Sequence, residues 1–153
     1  MDKKAFKKKV MEQAIKYQEA IVSDFRTRIK ELRDGEQQAQ GDKFEYDQQG
    51  QEDESAIVIN RMADELNFVV EELDFLKQMK TANNIFDEVT LGAVVHTDKM
   101  TFFPSVSIEN FEVEGESLFG ISQKAPIYKE MQGKKKGDTF SLNNRTYKIL
   151  DVY

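Results

Sequence analysis

The 153-residue chain has no cysteine, no tryptophan, two prolines and one histidine. Without cysteine, disulfides and thiolate metal sites are excluded. With His96 as the single histidine, a histidine-cluster metal site is excluded as well, and His96 reads as an ordinary strand residue. No apolar run approaches the ~18 residues needed to span a bilayer, so no membrane partner is expected. The opening Met1-Asp2-Lys3-Lys4 lacks the apolar core of a signal peptide, and a cytoplasmic location is expected. The sequence contains no phosphate-binding glycine loop, catalytic triad or dinucleotide fingerprint.

Charge is abundant, at 33 % of residues, with a net value of −6. That sign argues against binding duplex DNA on its own, which calls for a clustered basic face. The charge is also uneven. Residues 34–54 hold eight acids (Asp34, Glu36, Asp42, Glu45, Asp47, Glu52, Asp53, Glu54) and one base, Lys43, so this stretch carries −7 and the remainder only +1.

Proline is absent from residues 3–80, and the only glycines there, Gly35, Gly41 and Gly50, fall in the acidic stretch. Upstream, Phe6, Val10, Ala14, Tyr17, Ile21, Phe25, Ile29 and Leu32 step by fours and threes along one helix face. Downstream, Ile59, Met62, Leu66, Val69, Leu73 and Leu76 alternate threes and fours, a heptad seam. Two such helices joined by a short polar segment predict an antiparallel coiled-coil hairpin over 1–80. Its arms would be ~30 residues, or ~45 Å, with the acidic tip near 41–54. Glu52, Asp53 and Glu54 would open the second helix, where the helix dipole favours acids. The basic start, Lys3, Lys4, Lys7, Lys8 and Lys9, reads as a solvated helix face.

After the polar break Thr81-Ala82-Asn83-Asn84, short β-type runs alternate with turn signals over 84–153. Residues 138–142 and 146–150 flank Asn143-Asn144-Arg145, a hairpin signature. Pro126 to Gln132 predicts a short helix, with proline in its first turn and Gly133 after it. The expectation is an α+β chain whose second part is a small curved antiparallel sheet on one short helix. No helix is long enough for a parallel crossover.

Three C-terminal blocks carry a resemblance: Gly120-Ile121-Ser122-Gln123-Lys124-Ala125-Pro126-Ile127, Gly133-Lys134-Lys135-Lys136-Gly137-Asp138, and Tyr147-Lys148-Ile149-Leu150-Asp151-Val152-Tyr153. They resemble the C-terminal domain of the bacterial Gre (GreA/GreB-type) transcript-cleavage factors, which reads I-S-x-x-S-P, then G-K-x-x-G-D, then a closing strand. The order of parts, coiled coil before this domain, is similar too. Ala125 departs from the family's serine. The family tip G-D-L-S-E-N-A-E-Y compares with Gly41-Asp42-Lys43-Phe44-Glu45-Tyr46-Asp47, which keeps the glycine and a D-x-x-E pair.

The resemblance implies an FKBP-like fold for 84–153, docking on RNA polymerase through Ile121, Ser122, Ala125 and Pro126. It implies a hairpin that enters the polymerase secondary channel and approaches the 3′ end of nascent RNA. Asp42 and Glu45 would then be the catalytic, metal-holding acids, with Phe44, Tyr46 and Asp47 as auxiliary tip residues. Two carboxylates cannot alone satisfy Mg²⁺, which takes six oxygens. The implied Mg²⁺ is therefore shared with the polymerase and not held by the free protein. The chain would be no enzyme itself but a stimulator of the polymerase's own cleavage of backtracked transcripts. The altered tip keeps open a channel regulator that binds without promoting cleavage. The FKBP-like fold alone would admit a prolyl isomerase, but the tryptophan that commonly floors that pocket is absent.

Overall fold

The computed structural model describes the backbone of residues 2–42 and 48–153, and the side-chain surroundings of 2–35 and 54–153. The elements run α1 (Lys3–Asp42), α2 (Gln48–Ala82), β1 (Val95–Thr97), β2 (Thr101–Ser105), β3 (Ile108–Val113), β4 (Glu116–Ser122), α3 (Pro126–Met131), β5 (Thr139–Leu142) and β6 (Arg145–Val152). They form two compact units, Met1–Lys16 with Phe75–Tyr153, and Tyr17–Asp74.

The helices are longer than the sequence suggests, at 40 and 35 residues. α1 continues through Gly35 and Gly41, and α2 includes Gly50. Each glycine in a helix interior costs about 1 kcal/mol relative to alanine, too little to end a helix by itself. Because α2 begins at Gln48, Glu52, Asp53 and Glu54 fall beyond its first turn, where the dipole's effect has faded.

In the Tyr17–Asp74 unit, Ile59, Val69 and Leu73 of α2 are buried, as the heptad predicts. The α1 seam keeps Ile29 and, half-buried, Ile21 and Phe25 of the expected face, but departs from it at Tyr17 and Leu32. Gln18, Val22 and Ile29 are buried and Phe25 is half-buried, whereas Tyr17 and Leu32 are each 39 % exposed. The reason is geometric. At 3.6 residues per turn, each step of four advances about 40° round the helix, so a run of fours spirals off the partner. The spacing Gln18–Val22–Phe25–Ile29 alternates four and three and stays on it.

In the other unit, six strands form one sheet in the order β3-β4-β2-β1-β6-β5. Four pairings are antiparallel, but β2 and β4 run parallel, Thr101 beside Leu118 through Ser105 beside Ser122. No crossover helix is needed. The chain leaves β2 for the edge strand β3 and returns by a hairpin at Glu114-Gly115, so β4 slots between them. The β2–β3 link must therefore pass over β4, and it does so at Gly120. A Cβ there would lie 2.5 Å from the Val106 carbonyl oxygen. The expected β5–β6 hairpin forms about Asn143 and Asn144, both at positive φ (52° and 65°), the pairing a type I′ turn requires. One core joins Val89, Ala93, Val95, Phe102, Phe140, Tyr147, Ile149 and Val152 to Tyr128 and Met131 of α3. Val89-Thr90-Leu91, a β-type run by composition, lies outside the strands.

Candidate functional site

The segment from β4 to α3 holds the expected docking residues together in one closed turn. The Ser122 Oγ accepts the Lys124 backbone N–H at 3.1 Å, and the Ala125 N–H donates to the Ser122 carbonyl at 3.0 Å. Pro126 then opens α3, its fixed φ suiting the first helical position. Gln123, Lys124 and Pro126 are exposed, Ser122 and Ala125 half-buried, while Ile121 packs against the core. Gln123 and Lys124 form the crest of the turn and are not distinguished by the sequence pattern. Exposure of polar residues inside a motif is the only signal they give.

Ala125 is the N-cap of α3, in extended conformation with no side-chain cap bond. A serine hydroxyl here would satisfy a free N–H of the first turn. Alanine here leaves α3 without a side-chain cap.

The second block is a turn held by its own residues. Asp138 Oδ2 accepts the Lys135 N–H at 2.8 Å, and the Asp138 N–H donates back to the Lys135 carbonyl at 2.9 Å. Gly137, at φ +93°, lets its N–H reach the Ile149 carbonyl at 2.8 Å. This explains glycine and aspartate at those positions and leaves the lysine side chains free of structural duty.

Of the tip residues, Asp42 is the last residue of α1. Its side chain and the residues Phe44, Glu45, Tyr46 and Asp47 lie outside the described ones. Among the described residues no group of three or more His, Asp or Glu is placed to hold a metal ion.

The basic start is not uniformly solvated. Lys7 is fully buried, donating from Nζ to the Asn84 carbonyl, with the ammonium 4.2 Å from the Phe86 ring centroid. Burial pulls its pKa down from 10.5 to about 8. Lys9 pairs with Glu114, which raises its pKa through that hydrogen bond and charge. Lys3 pairs with Asp151 at 2.9 Å. Partial burial pushes the Asp151 carboxyl up, but the Lys3 hydrogen bond and charge hold it below the usual range. These contacts tie the start of α1 to the sheet. Lysines placed at helical spacing look alike in sequence, and only the fold separates Lys7 from Lys8.

His96 sits in β1, as expected, with Nε2 2.8 Å from the Tyr153 hydroxyl and Nδ1 2.8 Å from Glu116. Phe6 packs on both rings, at 6.4 Å from His96 and 6.5 Å from Tyr153. Burial, with the Glu116 and Asp151 charges, raises the Tyr153 pKa. Phe102, Phe140 and Tyr147 are buried against one another, the last two stacked at 5.0 Å. They serve as core.

No helix among the described residues is long and apolar enough to cross a membrane. No family model matches the chain, and neither does any curated protein. Two solved structures are similar over nearly its whole length. One is GreA factor homolog 1 (Gfh1) of Thermus thermophilus, 16 % identical over 91 % of this chain and 94 % of that one, with a TM-score of 0.35. The other is Gfh1 of Thermus aquaticus, 17 % identical over 90 % and 92 %, also with a TM-score of 0.35.

Proposed function

We propose that this chain is a Gre-type transcription factor that docks on bacterial RNA polymerase through its sheet unit and stimulates cleavage of backtracked transcripts through its hairpin tip. The observation that carries the reading is the placement of the signature residues. Ser122, Ala125 and Pro126 meet in one closed turn on a rigid sheet, the kind of loop on which binding residues concentrate. The acidic stretch supports the second half of the reading, since its −7 falls where α1 gives way to α2.

In this reading Asp42 and Glu45 contribute carboxylates to a Mg²⁺ that the polymerase also holds; their donor set suits a shared ion and not a private one. When bound there, the ion supplies activation of water and stabilisation of the leaving oxygen. The chain's own residues position two charges and leave the nucleolytic chemistry to the polymerase. The protein is then a partner of polymerase and, indirectly, of the RNA 3′ end. The isomerase alternative is disfavoured because Phe102, Phe140 and Tyr147 fill the core.

A second reading, a channel regulator that does not promote cleavage, draws on the substituted tip Lys43-Phe44-Glu45-Tyr46-Asp47. One experiment separates them. The full chain is added to purified polymerase and to a stalled, backtracked elongation complex, and binding and transcript shortening are both followed. Binding with shortening supports the first reading, binding without it the second, and no binding removes both.

A further inference from the structure

Charge in the sheet unit is polarised across the sheet. Residues 117–148 carry seven bases and only two acids, Glu130 and Asp138. They include β5, α3, the turn before β5 and β6 as far as Lys148; Asp151, farther along β6, is paired with Lys3. The acids Glu109, Glu112 and Glu114 instead gather on β3 and its turn. The strand order puts β3 at one edge and β5 at the other, five strand spacings or about 24 Å apart.

The two edges differ in what already satisfies them. Glu114 on the acidic edge is paired with Lys9. On the basic side, Lys124, Lys129, Lys135, Lys136 and Arg145 are exposed, and among the described residues none forms an ion pair within 4 Å. The nearest acids do not neutralise them. Asp138 is engaged by the Lys135 backbone N–H, Glu88, across a β-bridge from Lys135, forms no ion pair within that distance, and Asp151, which feels the Lys136 charge, is already paired with Lys3 at 2.9 Å. α3 is six residues, so Lys124 and the 134–136 turn flank a helix only about 9 Å long, near one Debye length. They act on a partner as one group.

We propose that this edge is a docking surface for an acidic protein surface, recognised by Lys124, Lys129, Lys135 and Lys136 around the rigid turn at Pro126. Nucleic acid fits less well. Tyr128, Phe140 and Tyr147 of this region are buried, leaving none of those rings for base stacking. The inference rests on the reading that the sheet unit docks on polymerase and adds the chemistry of the contact.

The test uses the full-length Lys129→Gln/Lys135→Gln/Lys136→Gln variant, whose Asp138 bond to the backbone is preserved. Binding to RNA polymerase is measured by fluorescence anisotropy at low and moderate salt, with thermal unfolding as a check on the fold. The expected result is a roughly tenfold loss of affinity with a flatter salt dependence, and near-normal binding by the matching Lys→Arg variant. If the Gln variant bound like wild type with the same salt dependence, the basic edge would be wrong while docking stood. If wild type bound no polymerase, both would fall. If wild type bound a single-stranded RNA probe and the Gln variant did not, the partner would be nucleic acid and the proposal overturned.

Discussion

The Val106 carbonyl oxygen lies where a Cβ on Gly120 would come within 2.5 Å of it, with Ile108 Cβ and N at 3.0 Å. Gly120 begins the first signature block, so part of that signature records a strand crossing rather than a binding contact. Gly120→Ala forces backbone against backbone, which cannot give as a flexible side chain would. It is expected to destabilise the protein by about 2–4 kcal/mol, read as a lowered urea midpoint with an unchanged slope.

Ala125→Ser supplies the missing cap of α3. Stability should rise by about 0.5–1 kcal/mol, the lower part of the N-cap range, because α3 is short. Paired urea melts measure it. A serine that sharpened polymerase affinity with no gain in stability would return this position to the partner contact.

Lys7 makes stability depend on alkaline pH in a defined direction. Its pKa is about 8 in the fold against 10.5 unfolded, so between these values the unfolded chain binds the extra proton. Its contribution to stability therefore rises from pH ~8 to ~10.5, by on the order of 3 kcal/mol in total. Lys7→Met removes the buried charge. The variant should be more stable than wild type at pH 7, and the gap should close as pH climbs through that window. Parallel denaturation series at pH 7, 9 and 10.5 follow the difference, which other titrating groups leave untouched.

The Gln18–Glu72 pair is the polar break in the hairpin seam. Gln18 Nε2 donates to Glu72 at 3.1 Å, while Gln18 Oε1 is buried without a partner. Burial raises the Glu72 pKa despite that bond. A raised carboxyl contributes stability below its unfolded value of 4.5 that is lost as pH rises through the folded one. Glu72→Gln should thus stabilise the protein at pH 7 and make no difference near pH 4. Equal effects at both pH values would show that burial of the charge is not what matters.

Much of this was legible before the fold. The hairpin, the Pro126 helix and the Asn143-Asn144 turn follow from periodicity, fixed φ and turn chemistry, all local. The α1 seam was misread only at Tyr17 and Leu32, because two faces of the helix near its start are buried: Phe6, Val10 and Ala14, and also Lys7, Met11 and Ile15. A face chosen from the first turns then slips by one residue at Tyr17 before rejoining the seam at Phe25 and Ile29. The parallel β2–β4 pair was missed because strand order is a long-range property, and a crossover through an edge strand has no helix to announce it. Asp42 and Glu45 rest on sequence alone, since the residues that would fix their geometry lie outside the described ones.

Transcript shortening in a stalled, backtracked complex, driven by wild type and by Asp42→Asn/Glu45→Gln, is the most direct test of the central claim. Both positions lie off the apolar periodicity of the sequence, and the substitutions should change stability by no more than ~0.5 kcal/mol. The account predicts that wild type accelerates cleavage in a Mg²⁺-dependent way, and that the double variant still binds polymerase but falls to the rate of polymerase alone. A double variant that cleaved like wild type would contradict the assignment of the tip acids. A wild type that bound without any acceleration would replace the cleavage factor with a non-cleaving regulator of the channel.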